Sequence, residues 1–94
     1  MKQIEEIMCN AVASGKKVSV SNTLVSVENG VIKVYLHGNL IYTKKNGVER
    51  FTLAGWNTTT TRSRLRALGV DVYQRNYVPM YNGKEINDCD WYTV

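Results

Sequence analysis

Few residues of this sequence are suited to chemistry. The single histidine, His37, lies in a Leu-His-Gly-Asn segment with no cysteine or carboxylate pair near it, which leaves a metal site or a nucleophilic triad without ligands or partners. Cysteine is equally scarce. Cys9 and Cys89 match no metal-ligand spacing, and two cysteines are too few for a disulfide scaffold, so both are expected as free thiols. The acids Asp71, Asp88 and Asp90 have no spacing that asks for a general acid–base pair. Glycine is present but forms neither of the common phosphate-cradling loops. The expectation is a protein that is not an enzyme and holds no metal and no cofactor. No apolar run is long enough to cross a bilayer. Glu5 and Glu6 fall where a signal peptide has its apolar stretch, so a cytoplasmic protein with no membrane partner is expected.

What remains is an ordinary apolar content and an uneven charge. Ninety-four residues make a single small domain, 1–94, near the lower limit for a self-sufficient core. The net charge is +4. Residues 1–32 are balanced, with Lys2, Lys16 and Lys17 against Glu5, Glu6 and Glu28. Residues 33–66 carry Lys33, Lys44, Lys45, Arg50, Arg62, Arg64 and Arg66 against Glu49 alone, and residues 67–94 are mildly acidic. A basic middle suggests a surface that faces a polyanion. The plainer alternative is the basicity common in small proteins, since these cations lie on several elements and need not converge.

Hydrophobic periodicity predicts an α+β layout. Ile4, Ile7, Met8, Ala11 and Val12 form one helical stripe over residues 2–14, with Glu5, Glu6 and Asn10 off it, and Ser14-Gly15 ends the helix. Alternating segments follow around Val18, Val25, Val34, Ile41 and Phe51. Asn29-Gly30, His37-Gly38-Asn39 and Asn46-Gly47 fall between them and suit tight hairpin turns. An antiparallel meander is expected. A second helix is predicted near 59–68, stopped by Gly69. Beyond it lie short strand candidates at 70–75, 77–81 and 90–94, with Pro79 demoting the middle one to an edge. The expected fold is a single antiparallel sheet with two helices covering one face.

The second helix carries the main candidate site. At about 100° per residue, Thr61, Leu65 and Leu68 should face the sheet. Arg62 and Arg66 should fall on one flank, Arg64 on the other, and Ser63 and Ala67 outward between them. The start of the helix, Thr58, Thr59 and Thr60, offers hydroxyls beside unpaired backbone N–H groups, which suits an anion. Arginine forks match phosphate or carboxylate oxygens. The alternative is an ordinary capped, solvated helix. Trp56, just before it, could stack on a base, although a tryptophan there more often packs into the domain. Lys44, Lys45 and Arg50 flank a hairpin that could ride a phosphate backbone or simply protect a sheet edge. Six tyrosines add material for a binding face without choosing a partner.

Three segments resemble a family of small bacteriophage proteins with N-T-x-V, L-H-G-N-x-I and G-W-x-T-x-T-T-x-x-R-L motifs in that order. Here they are Asn22-Thr23-Leu24-Val25, Leu36-His37-Gly38-Asn39-Leu40-Ile41, and Gly55-Trp56-Asn57-Thr58 continuing through Thr60-Thr61 to Arg64-Leu65. The resemblance spans roughly residues 21–76, departing at Tyr42 and Arg66. It implies a phage protein acting in the cytoplasm of an infected bacterium. Two functions are then expected as alternatives. One is a non-enzymatic accessory protein that binds DNA or RNA through the basic helix and hairpin. The other is a host-directed inhibitor of anti-defence or anti-CRISPR type that binds a host protein complex. A homodimer through a sheet edge is compatible with either.

Overall fold

The computed structural model describes residues 3–94. Helix α1 (Gln3–Ser14) leads into a run of short strands: β1 (Val18–Val20), β2 (Thr23–Glu28), β3 (Val31–Leu36), β4 (Asn39–Lys45) and β5 (Val48–Phe51). Helix α2 (Thr59–Ala67) follows, then β6 (Val72–Arg75), β7 (Val78–Tyr81), β8 (Lys84–Glu85) and β9 (Tyr92–Thr93). Strands β1 to β5 form the expected meander, and β9 pairs with β5 to complete a six-stranded antiparallel sheet. At the His37-Gly38 turn both residues take positive φ, +50° and +79°. That conformation joins two strands with little splay, and the glycine adopts it without a Cβ clash.

The expectation of a single sheet is corrected. Strands β6, β7 and β8 form a separate three-stranded antiparallel sheet, because α2 carries the chain away from the meander before they begin. Pro79 is also not on an edge, since β7 is the central strand. In an extended strand the N–H and C=O of one residue point the same way. The Pro79 carbonyl accepts from Ile86 N at 3.0 Å, so its missing N–H falls on the side of the two-residue β8. The bond is lost where the ladder is already ending.

The core gathers Met8, Ala11 and Val12 of α1, Leu65 of α2, Val72 of β6, and Val25, Val34, Tyr42 and Phe51 of the large sheet. Tyr81 of the small sheet meets Phe51 edge-on at 4.9 Å between ring centroids. Both helices and the small sheet therefore pack on one face of the large sheet. A bulge between Val34 and Tyr35 leaves Ile41 as the extra residue of β4, and it too is buried. Glu5, placed off the apolar stripe by periodicity, is buried within it. It lies three and seven residues before Met8 and Val12, which is helical spacing for a shared face. Cys9 and Cys89 are free. The Cys9 thiol donates to Ala67 O at 3.2 Å, tying the helices together, and burial followed by the nearby Glu5 charge raises its pKa.

Candidate nucleic-acid interface

The start of α2 is built by two backbone turns. Ala54 and Gly55 take φ of +55° and +81°, which closes a tight turn with Trp56 N bonded to Leu53 O at 2.8 Å. Gly55 N is held by Asp88 O at 2.7 Å. Thr58 is then extended, and its Oγ1 accepts from Thr61 N at 3.1 Å as the N-cap, satisfying one of the unpaired donors of the first turn. The turn ejects Trp56. Its side chain is 58% exposed, so the expectation that it packs into the domain is corrected.

The arginines do not border an outward strip. Arg64 is buried, and its guanidinium donates to Glu5 Oε2 at 2.8 Å, Thr23 Oγ1 at 3.2 Å and Asn22 Oδ1 at 3.4 Å. Ser63, expected on the outer surface, donates its hydroxyl to the same Glu5 carboxylate. Arg62 is buried as well. It donates to the Asn57 carbonyl at 3.1 Å, to the Asn57 side chain, and to Gln74 Oε1 at 3.2 Å, and burial followed by the Arg66 charge lowers its pKa. Only Arg66 is exposed, with one guanidinium nitrogen on Val72 O at 3.0 Å. Thr61 and Leu65 are buried, as the helical angles predict. Those angles leave out that α1 and β6 lie against the helix, which draws Arg64 and Arg62 into the interior and leaves Arg66 outside.

The hairpin cations also separate. Register pairs Lys44 with Glu49 and Tyr42 with Phe51 on the covered face, and Thr43 with Arg50 and Lys45 with Val48 on the opposite face. Among the described residues no helix packs on that opposite face. It carries Ser19, Leu24, Tyr35 and Leu40 in one row across β1 to β4, and Ser26, Lys33, Thr43, Arg50 and Thr93 in another. The Arg50 guanidinium lies over the Trp91 ring, 5.9 Å from its centroid, within the range of a cation–π contact. Lys33 meets Glu28 at 3.2 Å. That hydrogen bond, then one from Ser26, holds the Glu28 carboxyl below its ordinary pKa. Lys33, Tyr35 and Trp91 escaped the sequence-based candidates. The period-two register opposite Val34 and Tyr42 is the signal that would have found the first two.

Two depressions meet at the end of the sheet that carries the His37-Gly38 turn. One, about 370 Å³, lies on the open face and is lined by Ser19, Leu24 and Tyr35 with His37 on its rim. The other is a cleft of about 380 Å³ between the turn and α2, lined by Leu36, His37, Asn39, Leu53, Trp56, Thr58, Thr60 and Thr61. His37 borders both.

Among the described residues no group of histidine, cysteine or carboxylate side chains is arranged to hold a metal ion, and no helix is long and apolar enough to cross a membrane. The fold and site define a small α+β protein whose large antiparallel sheet has both helices on one face, with two clefts at one end. Residues 1–94 match the family model described as Kyanoviridae Gp96 protein; the chain belongs to that family, and so to the proteins of bacteriophages. No curated protein and no solved structure matches the chain.

Proposed function

We propose that this phage accessory protein is not an enzyme and binds single-stranded nucleic acid on the bare face of its large sheet, in the cytoplasm of the infected host. The observation that carries this reading is Arg50 over the Trp91 ring on the face that also carries Lys45, Lys33 and Tyr35, where no helix of the described residues packs. Cations that track phosphates and rings that take base faces are the two requirements of sequence-tolerant single-strand binding. An open antiparallel sheet offers both on one surface. The exposed Arg66 and the half-buried Lys44 add positive charge on the other side of the sheet and are not part of the surface.

Fluorescence anisotropy with a labelled single strand and a duplex at two salt concentrations tests it. With about three phosphate contacts, affinity for the single strand should fall roughly twentyfold between about 50 and 200 mM salt. Lys45→Ala and Arg50→Ala should each flatten that dependence, and Trp91→Ala should weaken binding at every salt concentration. Retention of full affinity in the Lys45/Arg50 double variant would overturn the proposal.

Tyr77 favours a second reading, a host-directed inhibitor. It is 90% exposed at the β6–β7 turn and held at φ +65°, a conformation costly for a residue with a Cβ. An aromatic displayed at such a cost suits the centre of a protein interface. Capture of a host protein that survives nuclease treatment and is lost with Tyr77→Ala would support it. Capture unaffected by that change would remove its basis.

A further inference from the structure

We propose that the cleft between the His37-Gly38 turn and α2 receives a single unstacked nucleobase, with Trp56 as its stacking wall and Asn39 and Thr60 as partners for its polar edge. This deepens the single-strand reading and rests on it for the source of the base.

The cleft's size comes first. About 380 Å³ is near the small end of ligand pockets, enough for one heterocycle and its sugar. Its lining comes second. Leu36 and Leu53 supply apolar floor and Trp56 a broad exposed ring, which together suit the two faces of a flat ring. An amide that both donates and accepts, and a hydroxyl, stand at the margin. The side chains of Asn39 and Thr60 make no hydrogen bond to another described residue. An aliphatic ligand would desolvate those groups without replacing their bonds to water. A planar ligand with donors and acceptors along its edge satisfies them.

Charge narrows the class further. No lysine, arginine or carboxylate lines the cleft, so it is matched to the neutral part of a nucleotide and not to its phosphate. The phosphate has a path outward, because His37 borders this cleft and the depression on the bare face where Tyr35 lies. The wall is also preformed. The bonds of Trp56 N to Leu53 O and of Gly55 N to Asp88 O fix the turn that presents the indole.

Nuclear magnetic resonance on the native protein separates this inference from the sheet reading. The two tryptophans give two indole N–H signals, assigned by comparison with Trp91→Phe. Each of the four nucleoside monophosphates, inorganic phosphate, and a short oligonucleotide with and without its bases would be titrated in turn. At least one nucleoside monophosphate should move the Trp56 signal saturably while inorganic phosphate does not. Asn39→Ala should weaken that response roughly tenfold while its thermal melt stays cooperative.

A response to the intact oligonucleotide assigns the base to a bound strand, and a response to mononucleotides alone assigns it to a free nucleotide. Both support the pocket. If no nucleotide or intact oligonucleotide moves Trp56, or inorganic phosphate or the base-free strand moves it equally, the pocket is overturned. In either case a Trp91 response to the oligonucleotide leaves the sheet reading standing.

Discussion

Arg64 shows how a single residue changes meaning on folding. In sequence it is one of three closely spaced arginines. In the fold it is 3% exposed and joins α1, β2 and α2 through Glu5, Thr23 and Asn22. A buried ion pair adds little net stability over a well-packed apolar pair, but removing one partner strands the other charge. Arg64→Ala should therefore lower unfolding free energy by about 3–5 kcal/mol, read by urea denaturation. Glu5→Leu combined with Arg64→Met should recover most of that loss. Tyr42 is a second residue whose chemistry is set by burial. Its hydroxyl donates to Glu49 at 2.9 Å, and its pKa is raised by burial, then by that hydrogen bond and the Glu49 charge. For an acid whose pKa is raised on folding, the stabilisation is fully present below the unfolded value, about 10, and is lost as pH rises through the folded value. In an alkaline titration followed by phenolate absorbance, Tyr42 should stay protonated above its unfolded value and titrate only as the fold opens, a step that Tyr42→Phe should remove.

At the scale of elements, turn chemistry explains most of the order and one exception. The Asn-Gly and His-Gly turns place residues that tolerate positive φ where the hairpins need it. The β6–β7 turn instead uses Asn76 and Tyr77, at φ +51° and +65°. Replacing Tyr77 by glycine should raise stability by about 1 kcal/mol, measured by chemical denaturation. A gain in stability with a loss of partner capture would show that Tyr77 is kept for display. No gain would mean that the turn carries little strain. Helix α2 teaches a related point. Its cap and apolar stripe were readable because Thr58, Thr61 and Leu65 obey local geometry. Its flanks were not, because only the docking of α1 and β6 decides whether an arginine there meets solvent or a carboxylate.

For the whole molecule, the decisive feature is that both helices and the small sheet lie on the same face of the large sheet. The basic residues consequently divide into two sets with different expected behaviour. Lys45→Ala and Arg50→Ala touch no buried partner and should change stability by no more than about 0.5 kcal/mol while weakening nucleic-acid binding. Substitutions at Arg62 or Arg64 should show the reverse, with a large effect on stability and an effect on binding only in proportion to the unfolded fraction. Paired denaturation and anisotropy measurements on the same variants check this. Equal behaviour of the two sets would contradict the division.

Local rules in the sequence determined the helices, the meander, the hairpin turns and much of the core, because caps, turns and periodicity act within a few residues. They also marked the two segments, Leu36–Asn39 and Trp56–Thr61, that come to line one cleft. Tertiary structure alone decided which charges are available. Glu5 and Arg64 are 59 residues apart in the chain and 2.8 Å apart in the fold, a pairing no local pattern encodes. The same packing that draws Arg62 and Arg64 inward leaves Lys45 and Arg50 on the opposite face of the sheet, Arg50 over Trp91. Burying a charge requires a specific distant partner, and only the complete fold supplies one.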